Sequence, residues 1–434
     1  MSDQHDITGR GLGRLLDGVD ARVGELLAAS LDGRDLSVDD AVTLCGSKGA
    51  SLHALCLVAD ELRRQQAGDV VTYVVNRNIN FTNVCVKACR FCAFARGHRS
   101  EQSYFLDVEE VVRRALEAQA LGATEVCIQA GLAPGMDGRL YVQLTRALKA
   151  AAPDLAIHAF SPEEVKYGAG LAGISISDYL AELKDAGLGS LPGTSAEILD
   201  DDLRARIAPG RITVAEWLEV IRSAHALAIP TTSTLMFGHI ETDGERMRHL
   251  ALLRDVQRET HGFTELVPLS FVHHEAPMFL KAQLPDLRPG PTGNEVVRLF
   301  AIARLMLGRD IPNLQASWVK EGLRSAQHLL SCGANDLGGT LMNESISTSA
   351  GAGHGQFIAP SELRTAIRDA GRVPAERDTR YRLLKTFDGS FVEELEPLDR
   401  VDDPEATFGT YATLSADPRV RFKKTRPSEH KSSA

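Results

Sequence analysis

Asn78-Ile79-Asn80-Phe81-Thr82-Asn83-Val84-Cys85-Val86-Lys87-Ala88-Cys89-Arg90-Phe91-Cys92 passes from an apolar, strand-like run into three thiols spaced CxxxCxxC. The run, Val74–Phe81, is the first of eight. The others are Glu125–Gln129, Leu155–Phe160, Leu188–Leu191, Thr231–Phe237, Thr264–Phe271, Ile311–Gln315 and Asp336–Leu337. Amphipathic patterns of helical period fall between them, near 107–121, 138–151, 176–186, 213–227, 243–260, 292–308 and 320–332. Strands alternating with helices predict an α/β fold with a parallel sheet, and eight strands are the number that closes a (β/α)8 TIM-type barrel. The eighth run is short, so an incomplete barrel is the alternative. In either form, the loop after strand one lies on the face where barrel active sites form.

The barrel is expected over residues 70–340. Residues 1–69 read as an N-terminal helical region. Ser37 with Asp40 makes a capping-box start, and Leu52, Leu55, Cys56, Ala59 and Leu62 mark one helix face. Residues 341–400 read as an extension with one helix after Pro360, and the polar residues 401–434 as a disordered tail.

Composition narrows the function. The 434 residues carry 58 acidic against 48 basic side chains, a net charge of −10, which argues against binding a nucleic-acid backbone. No run of about 18 apolar residues is present, so no membrane span is expected. Met1–Arg14 lacks an apolar signal core, which points to the cytoplasm. Gly9-Arg10-Gly11-Leu12-Gly13 follows no strand and is a weak dinucleotide signal. No HExxH, Walker loop or GxSxG occurs, and His239-Ile240-Glu241 lacks the PCxxC of a zinc deaminase.

Seven cysteines in a chain without a secretion signal do not suggest disulfides. Cys45, Cys56, Cys127 and Cys332 sit in core-like patterns. Cys85, Cys89 and Cys92 are close enough to converge on one soft metal centre. A structural zinc site needs a fourth ligand, for which His98 stands six residues on. A cubane iron–sulfur cluster on three thiolates keeps one iron open to a ligand. Strand ends supply further polar groups: Gln129 with Gly131, His158 with Ser161, Glu197, His239 with Glu241, and His273 beside His274 and Glu275. Strand seven carries Asn313, Gln315 and Trp318, the eighth Asn335 and Asp336, and Asn343 and Glu344 follow. The plain structural reading is a hydrogen-bonded structural residue for each His, a helix cap for Glu197 and Glu241, and a turn residue for Asn335 and Asp336. Together they outline a rim around the thiols.

CxxxCxxC followed by an aromatic, as in Cys92-Ala93-Phe94, resembles the radical S-adenosylmethionine (SAM) superfamily. Asn78–Cys85, His158–Pro162, Gly238–Glu241, Phe271–Pro277, Gln315–Lys320 and Gly333–Ser347 are together similar to one family within it, the second component of FO synthase in deazaflavin biosynthesis. The similarity covers roughly residues 38–385. Two radical enzymes of the futalosine route to menaquinone share the cysteine segment, and Met342–Ser347 favours the deazaflavin family. Ala130 stands where the family has Gly, and His274 where it is apolar.

The resemblance implies a 4Fe-4S cluster on Cys85, Cys89 and Cys92, with S-adenosyl-L-methionine on its open iron. It implies transfer of the 4-hydroxybenzyl group of L-tyrosine to 5-amino-6-(D-ribitylamino)uracil. Gln129, Gly131, Ser161, Glu197 and Arg206 are the cofactor-binding candidates. His158, His239, Glu241 and His273 are the catalytic candidates. Asn313, Gln315, Trp318, Asn335, Asp336, Asn343 and Glu344 are the substrate-binding candidates, with Arg204 or Arg206 for the tyrosine carboxylate. A reductant such as ferredoxin or flavodoxin is implied, and with only one CxxxCxxC, so is a separate first component that takes the product.

Overall fold

The computed structural model describes residues 18–390 and 394–423. The segments Met1–Arg14 and Gly9–Gly13 discussed above lie outside these residues. Strand one starts earlier than its apolar run, because the β-branched residues Val70, Val71 and Thr72 already favour extended chain. It comprises Val70–Val74 (β1) and Asn76–Ile79 (β2). At the break, the Thr340 hydroxyl accepts from the Asn76 N–H (3.0 Å) and donates to its carbonyl (2.9 Å), so the backbone stays paired. The remaining strands are Glu125–Ile128 (β3), Ala156–Ala159 (β4), Thr231–Phe237 (β5), Phe263–Ser270 (β6), Asp336–Gly339 (β7), Val373–Arg377 (β8) and Leu383–Thr386 (β9).

Parallel pairing runs from β2 to β3 to β4, between β5 and β6, and between β7 and β1. Two expected strands are reduced to single bridges. Ser190 and Leu191 link His158 to Thr231, and Leu314 and Gln315 link Leu266 to Asp336. The sheets are therefore separate, but the parallel bridges carry the order around a barrel-like ring. At 190–191 the chain is pinched between glycines: a Cβ on Gly193 would stand 1.9 Å from the Thr232 carbonyl oxygen.

Helices Val108–Ala120, Leu140–Ala151, Ile176–Asp185, Val214–Ala226, Asp243–Thr260 and Gly293–Leu307 match their sequence periods. The predicted helix 320–332 is divided at Gly322, whose φ of 77° interrupts it, into Trp318–Glu321 and Leu323–Leu329. Pro162–Ala172 and Asp201–Ile207 form helices that the periodicity did not signal. The N-terminal helices are Ala21–Leu31, Val38–Cys45 and Ala50–Ala67, with the Ser37–Asp40 capping box in place. Ala50–Ala67 packs on Gly293–Leu307. Among the described residues, no helix is long and apolar enough to cross a membrane.

The C-terminal segments depart from expectation. After the helix Pro360–Asp369, β8 pairs in parallel with β1, Val70 opposite Val373, and β9 returns antiparallel to β8. Residues 401–423 are not the disordered tail expected from their polarity. They form helices Pro404–Phe408 and Tyr411–Ala416, held by scattered aromatic anchors. Tyr411 packs on Phe94 (5.4 Å) and Phe422 on Phe105 (6.1 Å).

The β8 turn closes the floor of the barrel. Arg377 donates to Asp336 (2.8 Å), lies 3.7 Å from Glu265 and stacks on Tyr381. Tyr381 donates to Glu265, and Thr379 to Glu125 (2.7 Å). Thr72 donates to Asp336 and Asn76 to Glu125. Removing one partner from a buried ion pair leaves the other uncompensated. Arg377→Ala is expected to destabilise the protein by about 3–5 kcal/mol in a denaturant titration. A loss below about 1 kcal/mol would show that the floor does not need this cation.

Candidate active site

The cysteine loop leaves β2 at the C-terminal face. Its backbone is tied to four other segments: Cys85 N–H donates to Arg96 O (3.1 Å), Val86 N–H to Leu132 O (2.9 Å) and Arg90 N–H to Ile207 O (2.8 Å), while Met278 N–H donates to Arg90 O (2.7 Å). Asn83 holds the loop entry, donating to Gln102 O (2.9 Å) and accepting from Tyr104 N–H (2.9 Å). Gly131 lies against this loop so closely that a Cβ would stand 2.3 Å from the Val84 carbonyl oxygen.

Cys85, Cys89 and Cys92 line one cavity of about 1290 Å³, open solvent at its mouth included. Their side chains do not stand at metal-ligand spacing: among the described residues, no three His, Cys, Asp or Glu are so gathered. Burial pushes the Cys89 thiol up to about 12, a proton that a bound metal would displace. Three soft donors on one loop, with no His or fourth Cys among the lining residues, fit a cluster with an open iron better than a closed zinc site.

The cavity has two chemical halves. On the side of strands two to four, Arg211 donates to Ser195 Oγ (2.7 Å) and to Cys89 Sγ (3.3 Å). It pairs with Glu197 (3.0 Å) and lies 3.6 Å from Glu163. Burial opposes the Arg211 charge, but Glu197, Cys89 and Glu163 outweigh it and raise its pKa. Lys87 pairs with Glu163 (3.0 Å) and donates to Gly210 O (2.6 Å). Ser195 and Glu197 have φ of 63° and 45°, uncommon for residues with a Cβ, which aims this loop inward. Glu164 accepts from Ala130 N–H (2.9 Å), Ser161 N–H (2.8 Å) and Ser161 Oγ–H (2.6 Å). Burial nevertheless lifts its pKa to about 7. On the side of strands five and six, Met236, Leu269, Phe271, Val272, Ile346 and Ala350 form an apolar wall.

Of the candidates, the three cysteines, Gln129, Gly131, Ser161 and Glu197 line this cavity. Gln129 accepts from Thr194 Oγ (3.0 Å). The others do not line it. His158 lies within β4, its Nδ1 2.6 Å from Ser190 Oγ, and burial lowers its pKa. Glu241 is a buried anchor that accepts from the Gly238 and His239 N–H groups and pairs with Arg246 and Arg288. His239 contacts Met236 O (3.1 Å) beside it. His273 stacks on the exposed His274 at 4.1 Å. Arg206 pairs with Asp286 at an exposed site. Arg204 is buried, and its donors are taken by the carbonyls of Ser195, Ala196 and Ile212.

Asn313 and Asn335 stand at the entry ends of their strands, opposite the cysteine face. Asn313 donates to Thr264 O (2.8 Å), and Asn335 accepts from Arg304 (2.8 Å). Gln315 and Asp336 belong to the barrel floor, donating to Glu265 and accepting from Arg377. The Trp318 indole donates to Gly339 O (2.8 Å), and Asn343 donates to Gly409 O (2.7 Å). Glu344 caps the N–H groups of Ser347 (2.8 Å) and Thr348 (3.2 Å).

Sequence reasoning missed Glu163, Arg211 and Lys320. Glu163 had a signal: Ser161-Pro162-Glu163-Glu164 is a capping box with Pro at its first position, which starts a helix at the cavity wall. Arg211 follows a Pro-Gly turn and carries no motif.

The "Radical SAM superfamily" family model matches residues 79–253, and "CofH/MqnC C-terminal region" matches 260–388. A protein of Methanocaldococcus jannaschii called 5-amino-6-(D-ribitylamino)uracil–L-tyrosine 4-hydroxyphenyl transferase is 50% identical over 75% of this chain and 91% of its own length. A Methanothermobacter thermautotrophicus protein of that name is 48% identical over 85% and 99%. Two solved structures share the fold. Methylornithine synthase has TM-score 0.61 at 17% identity, covering 81% of this chain and 97% of its own. The hydrogenase maturase HydG of Carboxydothermus hydrogenoformans has TM-score 0.64 at 14% identity, covering 87% and 84%.

Gly131→Ala is expected to push the loop off Val84, cost about 1–3 kcal/mol and lower the iron and sulfide retained per chain. Unchanged iron content and melting temperature would count against the contact. Glu164 gives a pH signature. Its folded pKa of about 7 exceeds the ordinary 4.5, so its protonated form favours folding at low pH. That contribution, on the order of 3 kcal/mol, is lost as pH rises from about 5 to about 7. Urea unfolding of the apoprotein should show a stability gap between wild type and Glu164→Gln that changes over this window and is flat above it. A constant gap from pH 5 to 8 would rule the shift out.

Proposed function

The chain belongs to the radical SAM family of 5-amino-6-(D-ribitylamino)uracil–L-tyrosine 4-hydroxyphenyl transferases, and on that premise we propose that it joins the 4-hydroxybenzyl group of L-tyrosine to that uracil in deazaflavin biosynthesis. The observation that carries the reading is the placement of Cys85, Cys89 and Cys92 on one cavity at the C-terminal face. These thiolates would hold a 4Fe-4S cluster, which would supply the single electron needed to cleave S-adenosylmethionine.

The chain's own residues position and shield. Gln129, Ser161 and Glu197, with the backbone at Gly131, offer hydrogen-bonding groups to a zwitterionic nucleoside ligand. Arg211, pinned between Glu163 and Glu197, holds positive charge against Cys89 and so favours thiolate there. The apolar wall suits a phenol ring and keeps water from the reacting carbon. A ferredoxin or flavodoxin would supply the electron, and a first component with its own cluster would take the product.

Cys89→Ala should fold yet retain little iron and sulfide, and should release no 5′-deoxyadenosine. Cys127→Ala should keep both, at a packing cost of about 1 kcal/mol or somewhat more. Reduced wild-type enzyme incubated anaerobically with tyrosine, the ribitylaminouracil and S-adenosylmethionine should give 5′-deoxyadenosine and a 4-hydroxybenzyl adduct without deazaflavin fluorescence. A different product, or fluorescence from this chain alone, would sink the assignment.

A further inference from the structure

Three cations line the cavity among the described residues: Lys87, Arg211 and Lys320. The first two are paired. Lys87 is bound to Glu163 and Gly210 O, and Arg211 to Glu197, Ser195 and Cys89. Lys320 has no hydrogen bond or ion pair from its ammonium group among the described residues.

The nearest acids do not serve it. Glu321 accepts from Ser270 Oγ (2.5 Å), and Glu344 caps Ser347 and Thr348. The segment carrying Lys320 is nonetheless held firmly. The Trp318 indole donates to Gly339 O (2.8 Å), and Lys320 N–H donates to Ser317 O (3.0 Å). Burial lowers the Lys320 pKa, against the opposing pull of Glu344, Glu321 and Cys92. A partly desolvated cation without a partner is costly, and a ligand anion would relieve it.

The surroundings suggest which anion. Leu269, Phe271, Val272 and Ile346 make the apolar wall on this side. A ligand seated here would set an apolar ring against the wall and a carboxylate on the ammonium. That pairing is the chemistry of an aromatic α-amino acid.

We propose that Lys320 holds the α-carboxylate of the amino-acid substrate, and so selects tyrosine over decarboxylated phenols. The proposal rests on the transferase reading given above. Arg204 and Arg206, the basic residues the sequence suggested for this carboxylate, are engaged elsewhere. S-adenosylmethionine also carries a carboxylate, so the test must separate the two.

The test uses the cluster-loaded protein under anaerobic conditions. Equilibrium dialysis would measure binding of L-tyrosine, tyramine and S-adenosylmethionine to wild type, Lys320→Met and Lys320→Arg. A hydrogen bond to a charged group predicts that Lys320→Met weakens tyrosine by roughly 10- to 100-fold. Tyramine, which lacks the carboxylate, and S-adenosylmethionine should bind as before, which also shows that the variant is folded. Lys320→Arg should recover part of the tyrosine affinity. Equal losses for tyrosine and tyramine, a loss confined to S-adenosylmethionine, or no loss at all would each overturn the proposal. If wild type binds tyramine and tyrosine equally and Lys320→Met changes neither, Lys320 is not the anchor although the transferase reading stands. If wild type binds neither, the transferase reading falls and the proposal with it.

Discussion

Three carboxylates, Glu125, Glu265 and Asp336, turn into the same barrel interior; the guanidinium of Arg377 meets Asp336 and Glu265, and Thr379 of the same turn donates to Glu125. Ionised acids in that enclosure would repel one another and lose hydration. Burial lifts Glu265 to about 7, while Arg377 and Tyr381 pull the other way. The barrel therefore depends on a turn more than a hundred residues after the strand that carries Glu265. This is why β8 pairs with β1, and why the segment beyond residue 340 contributes to the barrel floor.

The floor also fixes the cavity above it. Glu265 and Glu125 hold Gln315 and Asn76 from below, and β2, β3 and β6 reach the C-terminal face in fixed register. The cysteine loop then rests on the Gly131 backbone, where no side chain would fit. Across from it, Arg211 gathers Glu163, Glu197, Ser195 and Cys89 around one guanidinium, while the wall of strands five and six remains apolar. The result is a divided chamber. One side can receive charged and hydrogen-bonding ligand groups, and the other a flat apolar one. Radical chemistry gains from such division, because it keeps the reacting carbon dry while the charged ends are held apart.

Much of this was legible in the chain itself. CxxxCxxC needs only local spacing, so the thiols and their strand-end position could be read from eight residues. Helices with clean 3.6-residue periods were legible for the same reason: each depends on neighbours within one or two turns. Pro162–Ala172 was not read from the sequence: the capping box at Ser161 marks its start, but its small apolar residues blur the period that signals a helix.

What only the tertiary structure decided depends on contacts between distant residues. Asn313, Asn335, Asp336, Glu241 and Glu344 carry the polar groups expected of a rim, yet they face the strand entries, the floor, a helix start or, for Glu241, a loop backbone and two arginines. Their direction follows strand register and the demand of buried polar groups for partners, neither of which composition records. Arg204, Arg206 and Arg211 lie within eight residues and are chemically alike. One binds carbonyls, one an exposed aspartate and one the cavity acids, because helix Asp201–Ile207 and the Pro209–Gly210 turn point them in different directions. The local pattern determined that a three-thiol site would form on a barrel face. The packing of strand, floor and loop determined which other side chains could reach it, since reach is set by three-dimensional proximity and not by spacing along the chain.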